Sequence, residues 1–109
     1  MSENKITSDL LRGHTDTMIL RLLSEADRYG YEIAKLIAER SGGAYEQKGA
    51  TMYSGFRRLE AVGDIEWYWG MNHRGTSQIF WDYRKGQGHT YTRSLSNWEY
   101  AKRVLKNLL

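Results

Sequence analysis

An α+β fold is predicted for this chain, because two hydrophobic periodicities occupy separate stretches of it. Apolar residues recur every three or four positions in four stretches, which marks helices with one buried face. Residues 64–70 alternate instead, which marks a half-buried strand. A second stretch rich in β-branched and aromatic residues follows at 77–83, across a polar turn. The order is therefore helix, helix, helix, hairpin, helix. Three helices followed by a hairpin make a winged helix-turn-helix.

The first helix is predicted over residues 8–26. Leu11, Met18, Ile19, Leu22 and Leu23 hold helical spacing, Ser8 is placed to cap the N-terminus, and Asp9 sits where the helix dipole favours an anion. Asp27-Arg28-Tyr29-Gly30 breaks the period. The second helix then turns Tyr31, Ala34, Leu36 and Ile37 inward and Glu32, Lys35, Glu39 and Arg40 outward. Ser41-Gly42-Gly43 ends it, since glycine accepts the left-handed stop. After a connector at 44–48, the third helix is predicted over 50–62, burying Met52, Phe56 and Leu59, with Gly63-Asp64 as its stop. Gly49 and Gly55 are poor helix formers there, each costing about 1 kcal/mol relative to alanine in a helix interior. In the first strand Ile65, Trp67 and Trp69 face one side, and Glu66 and Tyr68 the other. Residues 84–91 hold no single period. From about residue 91 the last helix aligns Leu95, Trp98, Ala101, Leu105 and Leu108 in one stripe. That stripe has to dock on the first helix, on a second subunit, or on both.

Composition narrows the function. A length of 109 residues leaves room for one core. The absence of cysteine removes disulfides, thiolate metal sites and cysteine nucleophiles, and fits a reducing compartment. No apolar run approaches a membrane span and no signal-peptide pattern opens the chain, so the expected location is cytoplasmic and no membrane partner is expected. The net charge of +3 points only weakly to an anionic partner. His14, His73 and His89 are scattered, without metal-ligand spacing. Asp16, Glu25, Asp27 and Glu32 read as solvated carboxylates on polar helix faces. No phosphate-cradling glycine loop follows a strand. Neither catalytic residues, nor a metal site, nor a cofactor is expected.

Two motifs carry a resemblance. Met18-Ile-Leu-Arg-Leu-Leu followed by Tyr29-Gly-Tyr-Glu-Ile-Ala-Lys-Leu-Ile37, and Ala50-Thr-Met-Tyr-Ser-Gly-Phe-Arg-Arg-Leu-Glu60 followed by Gly63-Asp-Ile, resemble the PadR family of transcriptional regulators. Tyr68-Trp69-Gly70 looks like the family's strand end. The resemblance covers about residues 10–70 and 90–109. It implies a homodimeric winged-helix repressor that binds double-stranded DNA and senses a small molecule. Residues 1–90 would form the DNA-binding domain and 91–109 the dimerisation helix. The single C-terminal helix looks like the multidrug-sensing subfamily, in which a Trp of the last helix and its dimer mate sandwich planar aromatic ligands. Trp98 falls at that position, and Leu10, Gly13, His14 and Thr17 match the subfamily's pore-lining positions.

Residues 71–89 depart from the family's basic wing. Codons can be chosen for Thr76 to His89 that read, in another frame, Gly-Arg-Arg-Lys-Tyr-Phe-Gly-Ile-Thr-Glu-Lys-Gly-Lys-Asp, a typical wing of the family. Two readings of the segment stand side by side: a genuine altered wing, or a frame slip in the nucleotide record or the gene.

Thr51, Ser54, Arg57 and Arg58 lie off the buried face of the third helix. A recognition helix needs such a polar and basic face for phosphates and base edges; without the resemblance the same face reads as solvated. Tyr53 is either a groove-facing hydroxyl or a packed aromatic. Lys48 and, at the wing tip, Arg74 are the other expected DNA contacts, and Glu60 is expected to face inward. The dimer interface is expected at Leu11, Leu95, Trp98, Ala101, Leu105 and Leu108. An alternative of another class is a small-molecule-binding or protein-interaction dimer that has lost DNA binding. Gly49, Gly55 and the altered wing favour it.

Overall fold

In a computed structural model, which describes residues 14–83 and 90–109, the elements run α1 (Thr15–Glu25), β1 (Arg28–Tyr29), α2 (Gly30–Arg40), α3 (Gly49–Ala61), β2 (Ile65–Met71), β3 (Ser77–Tyr83) and α4 (Thr90–Leu108). The predicted α+β winged-helix order is present. The sheet has one strand more than predicted: β1 pairs antiparallel with β3, giving the order β1-β3-β2. A strand of two residues is too short to show alternation, so Arg28 and Tyr29 read as a break. The hairpin register runs from Ile65 opposite Tyr83 to Met71 opposite Ser77. Its turn is held by Asn72, whose Oδ1 accepts from the backbone N–H groups of Arg74 and Thr76, while Gly75 takes a φ of 80° that other residues resist.

The described part of α1 begins at Thr15. His14 is its N-cap, so His14 lies outside the helix, and the predicted start at Ser8 together with Leu10, Leu11 and Gly13 lies outside the described residues. α3 and β2 are each displaced by a residue from the predicted bounds. The core joins Ile19, Leu20, Leu22 and Leu23 of α1 to Ile33 and Ile37 of α2, Met52, Phe56 and Leu59 of α3, Ile65, Tyr45 and Trp81. Trp81 stacks on Phe56 with ring centroids 4.9 Å apart, which ties the hairpin base to α3.

One inward assignment fails. Tyr31 is 73% exposed and Ile33 is wholly buried. The buried face of α2 is set by Ile33 and Ile37, one turn apart, and a residue two positions away points to the other side. On β2 the alternation holds but only Ile65 is buried; Trp67 and Trp69 are exposed. Beyond Ile65 the strand runs out as a wing, and among the described residues the side that Ile65 shares with Trp67 and Trp69 is only partly covered there. Nor are the carboxylates simply solvated. Glu25 accepts from Arg21, Arg28 and Arg40, Asp16 from Arg58, Asp27 from the Tyr68 hydroxyl, and Glu32 lies 3.7 Å from Arg28.

Gly55 explains itself in this packing. A Cβ built there would lie 2.8 Å from Ile19 Cδ1 and 3.4 Å from both Thr15 Cγ2 and Asp16 Oδ1. The glycine lets α3 approach the first turn of α1 closely, and the resulting packing offsets its poor helix propensity. Among the described residues, no helix is long and apolar enough to cross a membrane.

Gly55→Leu should destabilise the fold by about 1–3 kcal/mol, the usual cost of overpacking, despite the better helix former; an unchanged melting temperature would refute the close-approach account. The Glu25 carboxyl gives a pH dependence. Its pKa is held down at about 2 from 4.5, chiefly by the Arg40 hydrogen bonds and then by Arg21. A carboxyl depressed by folding contributes stability above its unfolded pKa and loses it as pH falls through the folded one. The melting-temperature gap between wild type and Glu25→Gln should therefore close as pH falls from 4.5 to 2; a gap that stays constant contradicts the network.

Candidate nucleic-acid interface

α3 divides cleanly. Met52, Gly55, Phe56 and Leu59 are buried, whereas Thr51, Tyr53, Ser54, Arg57 and Arg58 are exposed, with Lys48 exposed at the N-cap. Tyr53 is 57% exposed, so its ring is not packed in the core. Its hydroxyl accepts from Arg57 Nη1 at 3.0 Å, and the guanidinium lies 5.6 Å from the ring centroid. That hydrogen bond keeps the Arg57 guanidinium beside Tyr53 and raises its pKa. Glu60, expected inward, is half-buried at the far end.

Arg58 has a different neighbour. Its Nη2 donates to Asp16 Oδ1 at 2.7 Å and its Nε to Asp16 Oδ2 at 3.2 Å, a two-pronged pair across to α1. The Asp16 hydrogen bond raises the Arg58 pKa. The same turn of α1 is held from a third direction: Gln47 Nε2, just before α3, donates to Thr15 Oγ1 at 3.1 Å and to the Tyr45 hydroxyl at 2.6 Å.

Arg74 is exposed at the wing tip and does not join the α3 group. With His73 it lines a groove of about 310 Å³ against Tyr31, Glu32 and Lys35 of α2.

At the N-cap of α1, the ring of His14 meets Trp98 of α4 at 4.7 Å, tilted by 60°. Lys102 Nζ lies 5.7 Å from the Trp98 ring. Thr17, Leu95, Trp98 and Ala101 are half-buried, while Leu105 and Leu108 are exposed at 48% and 74%. The stripe on α4 is thus covered by α1 only at its N-terminal part. The structure brings together His14 and Trp98 of the expected ligand set. The residues missed from sequence are Asp16, Gln47 and Lys102; each is a polar residue whose partner is distant in sequence, except for Lys102, which sits one helical turn from Trp98.

The family model for the transcriptional regulator PadR-like family matches residues 19–87, more than half of the chain. The chain belongs to the PadR family. A transcriptional regulator from Clostridium thermocellum is similar at 38% identity, over 95% of this chain and 98% of that one, with a TM-score of 0.85. A PadR family transcription regulator from Clostridium difficile R20291 has 26% identity over 87% of this chain and 97% of that one, with a TM-score of 0.73. A curated relative, uncharacterized protein X from Lysinibacillus sphaericus, is 49% identical over 65 residues, and the match spans 60% of the length of each. PadR proteins are transcriptional regulators rather than enzymes. The PadR motif around α3 separates into two kinds of residue: Met52, Phe56 and Leu59 build the core, and Tyr53, Arg57 and Arg58 lie outside it.

Proposed function

We propose that this chain is a homodimeric DNA-binding repressor whose third helix enters the major groove. One observation supports the reading above the others. The outer face of α3 presents Lys48, Thr51, Tyr53, Ser54 and Arg57 together, with no acidic side chain between positions 48 and 59. Hydroxyls and guanidinium groups on one helix face suit phosphates and base edges. Arg74 on the wing would reach the backbone or minor groove beside it. Gly55 no longer favours a regulator without DNA binding, since α1 packs against it. Residues 1–90 are the proposed DNA-binding unit and 91–109 the dimerisation helix, and the cytoplasm is the proposed place of action.

The second subunit is proposed to cover the exposed end of the α4 stripe. Leaving Leu105 and Leu108 in water forgoes about 25 cal/mol per Å² of apolar surface. Two Trp98 rings meeting across the twofold axis would form a flat apolar slot for one planar aromatic effector per dimer, with Leu10, Gly13, His14 and Thr17 beside it. Bound effector would favour one spacing of the two recognition helices, and operator binding needs successive grooves about 34–36 Å apart.

On a duplex taken from upstream of its own gene, Arg57→Ala should weaken binding and lower the log–log salt slope by about 1. If affinity and slope both stay at wild-type values, α3 does not read DNA. Trp98→Ala combined with Leu105→Ala should move the protein toward monomer in sedimentation, and a wild type that already sediments as a monomer at micromolar concentration defeats the dimer.

A further inference from the structure

We infer that Arg58 serves DNA binding through Asp16, as a positioning residue that sets the angle of the recognition helix, and not as a phosphate contact. The inference rests on the DNA-binding reading above. Arg57 and Arg58 are neighbours of the same type on one exposed helix, yet they are held differently. Arg57 is held by Tyr53 of its own helix. Arg58 reaches across to α1, and both of its bonds end on the two oxygens of one carboxylate. A planar fork on a carboxylate fixes direction as well as distance.

The place of that clamp gives it leverage. Thr15, Asp16 and Ile19 of α1 surround the Cα of Gly55, so α3 has a close pivot there. Gln47 ties Thr15 to the segment entering α3, ahead of the pivot. Arg58 ties Asp16 to α3 one turn beyond Gly55. Pivot, front tie and rear tie together leave α3 little freedom to roll on α1. His14, the N-cap of α1, meets Trp98. A displacement of α4 at Trp98 is therefore delivered to the same turn that orients α3.

Charge separates the two roles for Arg58. Asp16→Asn removes a negative charge and releases Arg58. If Arg58 were a phosphate contact, this variant would bind DNA as tightly as wild type or more tightly. A positioning role gives the opposite sign: Asp16→Asn should weaken binding to the duplex from upstream of its own gene by about three- to tenfold, a coupling of ordinary size for contacting residues. The exchange Asp16→Arg/Arg58→Asp should bring affinity back to within about threefold of wild type, although it places a carboxylate at position 58. Anisotropy titrations at several salt concentrations read all of this, with circular dichroism confirming helix content. Where Asp16→Asn does not fold, the exchange variant decides alone. Unchanged or tighter binding by folded Asp16→Asn, or an exchange variant no better than Arg58→Ala, overturns the inference and leaves DNA binding standing. Arg57→Ala with wild-type affinity and salt slope overturns the DNA reading and this inference with it.

Discussion

The first turn of α1 lies almost in contact with the backbone of α3, and the rest of the molecule is arranged around that approach. A glycine at position 55 is what permits it, because any side chain there would meet the wholly buried Ile19. Close packing of this kind is stiff: interiors at crystal-like density do not deform smoothly, so two helices held this closely move together or repack. Thr15 and Asp16, on either side of the contact, are each tied across to α3 or its leader. The exposed face of α3 therefore inherits its orientation from α1.

α1 has a second neighbour. α4 lies against it through the Trp98–His14 contact, and from Leu105 onward α4 projects an apolar edge beyond the chain's own core. One helix thus mediates between the surface proposed to meet a second subunit and the surface proposed to meet DNA. Under the proposed function, that geometry lets sensing proceed without any long chain of contacts. A ligand that distinguishes two settings of α4 needs only to shift one helix to distinguish two settings of α3.

The sequence was legible where one element sufficed to read it. α2 and α3 follow from periodicity because each places a repeated apolar pattern against one core, and the hairpin follows from alternation on either side of a polar turn. Ile65, Trp67 and Trp69 have the alternation of a strand, but alternation reports the side of the sheet and not what covers it; two of the three stand in water. Arg28 and Tyr29 form a strand only because β3 offers an edge, and two residues have no period to show. The same limit governs the site. The polar face of α3 was legible, since it is local. Asp16 looked like an ordinary solvated carboxylate because its partner is 42 positions away. Gly55 looked like a defect because the side chain it makes room for belongs to another helix.

Net charge illustrates the same point on a larger scale. A balance of +3 over 109 residues suggests almost nothing about an anionic partner. The structure shows where the compensation falls. Glu25 gathers Arg21, Arg28 and Arg40 on the α1–α2 side, Glu32 adds to Arg28, and Asp16 takes Arg58. These four arginines share three carboxylates, so their fields partly cancel beyond a Debye length, about 8 Å at physiological salt. Arg57 is matched instead by a phenol, which orients the guanidinium and leaves its charge intact. Lys48 stands at the other end of the same helix face. A polyanion approaching the exposed face of α3 meets Lys48 and Arg57 and responds to that local field and not to the sum; α4 carries a second group of cations, Arg93, Lys102, Arg103 and Lys106.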